Sequence, residues 1–165
     1  MFVLNVAVTG GAGFIGSHLV ETLVANGHSV RVIDNLSTGS RDNLLSVRRD
    51  VELMEVDIRD IDSLRSTLKG IDAVYHLAAV ASVAYSVKNP VETHKVNVSG
   101  TLNILMAARD TGVSRIVFAS SSAVYGNPSS NRRGQNSGAL EPGTPYAASK
   151  LAGELYMKVF CSTYG

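Results

Sequence analysis

Tyr146 and Lys150 stand four residues apart in a helical pattern, so they share one helix face. A phenol ordinarily titrates near pH 10 and is a poor base at neutral pH. A neighbouring ammonium favours its phenolate and turns the pair into a device for taking a proton from a substrate hydroxyl. Ser120, Ser121 and Ser122 supply a hydroxyl cluster after an apolar run. One such hydroxyl can steady the negative charge that develops on a reacting oxygen. The plainer alternative for any one of them is a hydrogen bond to nearby backbone. His18, His28, His76 and His94 are too widely spaced to read as metal ligands, and no metal is expected. His76 reads as a packing residue at a strand end, and Cys161 as a helix-face residue.

A second constellation lies near the N-terminus. Gly10, Gly11, Gly13 and Gly16 interrupt the sequence between an apolar run and a helical pattern. A glycine turn in that setting lets a pyrophosphate approach the backbone, and the helix N-terminus behind it favours the negative charge. Phe14 and Ile15 are expected to face inward and lock that helix onto the sheet. Asp34 ends the next strand, where an acid can accept bonds from both hydroxyls of an adenosine ribose and would repel a 2′-phosphate. NAD is therefore expected over NADP, although Arg31 and Arg41 keep NADP open. A turn residue is the alternative for Asp34. Asp57 and Ile58 are placed to meet adenine, with a helix N-terminal acid the alternative for Asp57.

These groups need a scaffold, and the apolar patterning supplies one. Strands are expected at 2–8, 29–33, 51–56, 71–77 and 115–119. Helices are expected at 14–26, 41–48, 61–68, 91–111 and 145–164. Short apolar strands alternating with helices give right-handed crossovers and a parallel sheet. The expected fold is α/β, a Rossmann-like doubly wound parallel sheet of strand order 3-2-1-4-5. The Ser-, Asn- and Arg-rich stretch from Gly126 to Gly143 follows the fifth strand, at the edge where such sheets bind ligands.

The composition agrees. The chain has 165 residues, 45% hydrophobic and 18% charged, with 15 Lys+Arg against 14 Asp+Glu. That suits a folded domain and argues against intrinsic disorder. A formal charge of +1 gives no footprint for nucleic acid. A single cysteine excludes an internal disulfide framework and points to a reducing compartment. No apolar stretch reaches the length of a membrane span, so no membrane partner is expected and the cytoplasm is the expected location.

Six motifs together resemble the extended short-chain dehydrogenases/reductases, in their nucleotide-sugar epimerase branch. They are Thr9-Gly-Gly-Ala-Gly-Phe-Ile-Gly-Ser-His18, Asp34-Asn-Leu-Ser-Thr-Gly39 and His76-Leu-Ala-Ala79. Asn97-Val-Ser-Gly-Thr101, Ser120-Ser-Ser-Ala-Val-Tyr-Gly126 and Pro145-Tyr-Ala-Ala-Ser-Lys-Leu-Ala-Gly-Glu154 follow in the family's order. The resemblance implies that Gly10, Gly13, Phe14, Ile15 and Gly16 line a pyrophosphate site. It implies that Asp34, Asn35, Ser37 and Gly39 hold the adenosine ribose, and that Asp57 and Ile58 meet adenine. It sets Leu77, Ala78, Ala79, Asn97 and Ser120 beside the cofactor. Tyr146 becomes the base, Lys150 its electrostatic partner and a ligand of the nicotinamide ribose. Ser121 becomes the catalytic hydroxyl, with Ser122 the alternative.

Related dehydratases carry an Asp-Glu pair after that hydroxyl, where this chain has Ser122 and Ala123. The resemblance therefore implies epimerisation of a nucleotide-sugar at C4, of the UDP-glucose/UDP-galactose type, with NAD. A reductase or dehydrogenase on another substrate, or a dehydratase, is the alternative within enzymes. A non-catalytic NAD-binding or docking module is the alternative outside them. The family is longer, so residues 1–165 are expected to form an NAD-binding domain without the later strands or the substrate domain, with little sugar turnover alone. A homodimer through helices 91–111 and 145–164 is also implied.

Overall fold

The computed structural model describes residues 3–126 and 140–165. Most of the expected ligand-edge loop, 127–139 of Gly126–Gly143, lies outside the described residues. The described chain forms two compact units, one of Met1–Ala78 and Asn103–Ala119, the other of Ala79–Leu102 and Ser120–Gly165.

The first unit holds the whole sheet. Five parallel strands, β1 (Asn5–Thr9), β2 (Ser29–Ile33), β3 (Val51–Met54), β4 (Ala73–His76) and β5 (Arg115–Phe118), lie in the order β3-β2-β1-β4-β5. The order and the α/β class are those read from the sequence. Strand β2 spans the expected 29–33, β1 starts and ends later than expected, and β3, β4 and β5 are one to three residues shorter, because the ladder ends before the flanking residues do. Helix α1 (Phe14–Ala25) follows β1. Its buried Val20 and Leu23 join Val6, Val8, Val30 and Val32 in one core cluster, to which Leu44 and Val47 also belong. The alternate residues Ala7, Ile33 and Val74 are equally inaccessible, so both faces of the central strands are buried.

The expected helix at 41–48 is only one 3-10 turn, Arg41–Leu44, capped by the Ser40 hydroxyl. Helix α2 (Ile61–Thr67) starts at Asp60, whose carboxylate accepts from the Ser63 N–H. That is an N-cap bond, and it ends the preceding loop.

The second unit is helical. It contains α3 (Val83–Lys88), α4 (Pro90–His94), a π-helical turn at Lys95–Ser99 and the start of α5 (Gly100–Thr111). The single helix expected at 91–111 is thus interrupted, and α3 was not expected at all. A 3-10 turn, Ser122–Tyr125, precedes α6 (Pro145–Tyr164). Thr144 caps α6 and Pro145 fills its first position, where no N–H is needed. Among the described residues, no helix is long and apolar enough to cross a membrane.

Candidate active site and dinucleotide cradle

In the first unit, β1 runs into a turn built almost wholly of backbone. Gly10 has φ +70°, a conformation that favours glycine, and its N–H donates to the Ile33 carbonyl at 2.8 Å. A Cβ on Gly10 would come within 2.8 Å of the Ala78 nitrogen, and one on Gly16 within 2.2 Å of the Gly10 oxygen. Two segments, Leu77–Ala78 and the first turn of α1, therefore close on Gly10 as bare main chain. Gly13 caps α1 without a side chain. The N–H groups of Phe14, Ile15 and Gly16 then have no partner within the helix, and they form the open mouth of the turn.

Phe14 and Ile15 correct the sequence reading. Their side chains are 79% and 69% exposed, and it is Gly16, Ser17, Val20 and Leu23 that face the sheet. The inward face starts two residues later than the apolar pattern suggested. The exposed pair stands in the first turn of α1, directly after the glycine turn.

Asp34 is 8% exposed, and both its oxygens serve the fold. One accepts from the Ala12 N–H at 3.0 Å, the other from the Leu36 N–H at 2.8 Å. The carboxylate thereby ties the glycine turn to the end of β2 and bends the chain after it, with Leu36 at φ +56°. The turn role and the ribose role are compatible, because each oxygen keeps a second lone pair. Gly39 abuts Ala12, whose carbonyl also accepts from the Ser40 N–H at 3.0 Å and the Asn43 amide at 2.8 Å. Asn35 donates to Asp57 at 2.9 Å and accepts from the Ser37 N–H at 3.1 Å.

Asp57 also receives Arg59 at 2.9 and 2.7 Å, and that guanidinium holds its carboxyl well below the usual carboxylate range. Ile58 is only 5% exposed, so little of its side chain remains for a ring to lie on. Arg31 is engaged by Glu52 at 2.6 Å and the Thr67 carbonyl, and Arg41 by Glu55 at 2.6 Å. The two cations that kept NADP open are thus already paired.

Thr9 and His76 are in register on neighbouring strands and are 0% and 1% exposed. Their side chains meet at 2.7 Å, and the Thr9 hydroxyl accepts from the Ala78 N–H at 3.2 Å. Phe118 lies against the His76 ring. His76 is a packing residue, as expected, but also one end of a bond that sets the Leu77–Ala78 segment against Gly10.

The second unit carries Tyr146, Lys150 and the serine cluster, the groups expected from the sequence to handle a proton. Tyr146 and Lys150 lie one turn apart on α6. Lys150 is 4% exposed, and burial pulls its amine from 10.5 to about 8. At neutral pH it still carries its charge for most of the time. Ser121 accepts from the Ala123 N–H at 3.2 Å and caps the 3-10 turn, while Ser122 is the first residue of that turn. Ser120 donates to the Glu154 carboxylate. The sequence reading found no acid beside Ser121. Glu154 brings one to the same cluster because 146, 150 and 154 share a helix face. Ala79 is half-buried. Asn97 sits in the π-helical turn and bonds to Val80 and Ser149. No group of three or more metal-ligating side chains occurs among the described residues.

A parallel sheet of this order with a bare glycine turn and a strand-end acid defines a Rossmann-type dinucleotide-binding protein. The bare main chain of the turn and the N–H groups at the start of α1, which have no partner within the helix, are a donor set suited to a diphosphate. The chain belongs to the NAD dependent epimerase/dehydratase family, whose family model matches residues 6–165. It is 43% identical over 162 residues to a putative UDP-glucose 4-epimerase of Methanocaldococcus jannaschii, covering 97% of this chain and 52% of that protein. The UDP-glucose 4-epimerase of Thermus thermophilus, solved with NAD, superposes with a TM-score of 0.91 at 45% identity. That match covers 98% of this chain and 52% of the other. DesIV, a dTDP-glucose 4,6-dehydratase of Streptomyces venezuelae solved with NAD and TYD, gives 0.92 at 39% identity, covering 98% and 53%. The chain thus spans about half the length of the relatives it matches.

Proposed function

We propose that this chain is the NAD-binding and proton-transferring part of an enzyme that epimerises a nucleotide-sugar at C4, a UDP-sugar of the glucose/galactose type. The observation that carries the reading is a buried amine, Lys150, one helical turn from Tyr146. The glycine turn and the first N–H groups of α1 hold the diphosphate, and Asp34 and Asn35 take the adenosine ribose. When bound, NAD supplies a hydride acceptor at C4 and the hydride that returns to the opposite face of the ketone. Tyr146 takes the proton of the C4 hydroxyl on its phenol oxygen and gives it back. The Lys150 ammonium steadies the phenolate, and Ser121 or Ser122 hydrogen-bonds the C4 oxygen as it gains charge. Residues 1–165 form the NAD-binding domain in this reading, and no residue of it is assigned to reading the sugar. The reducing compartment suggested by one cysteine makes the cytoplasm its place.

Ser122 and Ala123, where related dehydratases carry acids, favour epimerisation over elimination. The likeness to a 4,6-dehydratase keeps elimination as the second reading. Tyr146→Phe in the natural full-length protein decides the main point. Wild type should interconvert UDP-glucose and UDP-galactose without releasing NADH, and the variant should lose about 100-fold or more of turnover. A 4-keto-6-deoxy product would establish the dehydratase instead, and full turnover by the variant would remove Tyr146 as the base.

In the second unit, Leu155 and Val159 on α6 and Val91 on α4 are 53–66% exposed. We assign this apolar surface to a homodimer contact through the helices at 91–111 and 145–164.

A further inference from the structure

Tyr146 occupies the second position of α6, behind Pro145, where the helix leaves its N–H without an internal partner. That N–H donates to the Ser86 hydroxyl oxygen at 3.1 Å. Ser86 lies on α3, is 0% exposed, and donates its own proton to the Val83 carbonyl at 2.7 Å. On the other side of the residue, the Ser149 hydroxyl donates to the Tyr146 carbonyl at 2.7 Å and accepts from the Asn97 amide at 2.9 Å. Asn97 is 2% exposed. Its oxygen accepts from the Val80 N–H at 2.8 Å, and its amide donates to the Val80 carbonyl at 3.0 Å.

Both polar backbone atoms of Tyr146, its nitrogen and its carbonyl oxygen, are therefore held by buried side chains. The two amide protons of Asn97 are both committed within the protein, so Asn97 has no N–H left to offer a ligand. Asn97 lies in the π-helical turn, a rare irregularity that is frequent at functional sites. We propose that Ser86, Asn97 and Ser149 are positioning residues that clamp the backbone of Tyr146 and so fix where its phenol stands. The inference rests on Tyr146 being the base and goes beyond it. The clamp acts through the main chain, and none of its members handles the reacting proton. A reacting group displaced by about 1 Å loses about 100-fold in rate, so a loosened clamp reads out in turnover before it reads out in binding.

The test uses Ser86→Ala, Ser149→Ala and Tyr146→Phe in the natural full-length protein, with turnover and amide hydrogen exchange as readouts. In Ser86→Ala the Tyr146 amide should exchange about tenfold faster or more. In both serine variants kcat should fall about 10- to 100-fold while KM for the UDP-sugar stays within about twofold. Unchanged exchange at Tyr146 and unchanged kcat in both variants, with Tyr146→Phe inactive, would overturn the clamp and leave the base standing. An active Tyr146→Phe would sink the base assignment, and the clamp's catalytic purpose with it. The exchange rates would still report its bonds. Should Ser86→Ala fail to fold, Ser149→Ala, which removes one oxygen from a half-turn of α6, carries the test alone.

Discussion

Replacing Lys150 with methionine separates the cost of a buried amine from its chemistry. The amine is 4% exposed and titrates at about 8 in the fold, against 10.5 when solvated. Below pH 8 both the folded and unfolded chains carry the proton, and the fold bears the full penalty of burying it. Between about 8 and 10.5 the unfolded chain binds a proton that the folded chain does not, so stability rises with pH through that window. The whole interval corresponds to about 3 kcal/mol, at up to about 1.4 kcal/mol per pH unit. Lys150→Met has no such group. Urea unfolding of both chains at about pH 7, 8, 9, 10 and 10.5 gives the difference in stability at each pH. The other lysines, Cys161 and the tyrosines apart from Tyr146 are common to both chains and cancel, and running both chains with Tyr146→Phe removes the one tyrosine whose phenolate Lys150 is proposed to steady. The difference should move by about 3 kcal/mol in favour of wild type from about pH 7 to 10.5, whatever packing the methionine gains or loses. A difference that stays flat to within about 0.5 kcal/mol would show that the amine is solvated, and the account of Lys150 as a buried electrostatic partner would fail.

Gly16→Ala drives a methyl group to 2.2 Å from the Gly10 carbonyl oxygen, which only a shift of α1 or of the turn relieves. It should cost about 1–3 kcal/mol in thermal unfolding and weaken NAD at least about tenfold in calorimetric titration. Undiminished affinity would remove the glycine turn from the cofactor site. The apolar surface of Val91, Leu155 and Val159 should hold the full-length protein as a dimer at micromolar concentration in sedimentation velocity. Leu155→Asp with Val159→Asp should dissociate it, and a monomeric wild type would refute the contact.

The sheet was legible because its signal is simple. The central strand β1 carries a continuous apolar run, Val6-Ala7-Val8, buried on both faces and followed at once by the glycine turn, which leaves no other reading. The pairing of Tyr146 with Lys150 on one helix was legible because an i, i+4 spacing survives any detail of helix packing. What escaped is what depends on distant partners. Helix α3 is six residues long with one buried serine, too short for a period to emerge. The π-helical turn at 95–99 leaves the apolar spacing of 91–111 nearly unchanged, and its Asn97 is bonded to Val80, 17 residues away. Ser86 carried no mark in the sequence, because its partner is a backbone N–H 60 residues later. Phe14 and Ile15 misled because apolar character was read as burial, whereas the helix had yet to turn its inward face.

The recess at the head of β1 is bounded by peptide planes: Gly10 against Ala78, Gly16 against Gly10, Gly39 against Ala12. A hollow shaped by side chains can be resized by exchanging them one at a time. Here the closest approaches are between main-chain atoms, so exchanging side chains one at a time cannot widen them. Under the proposed reading the spacing offered to a diphosphate is set by the backbone, and a designer seeking another ligand there must rebuild the loop instead of repainting it.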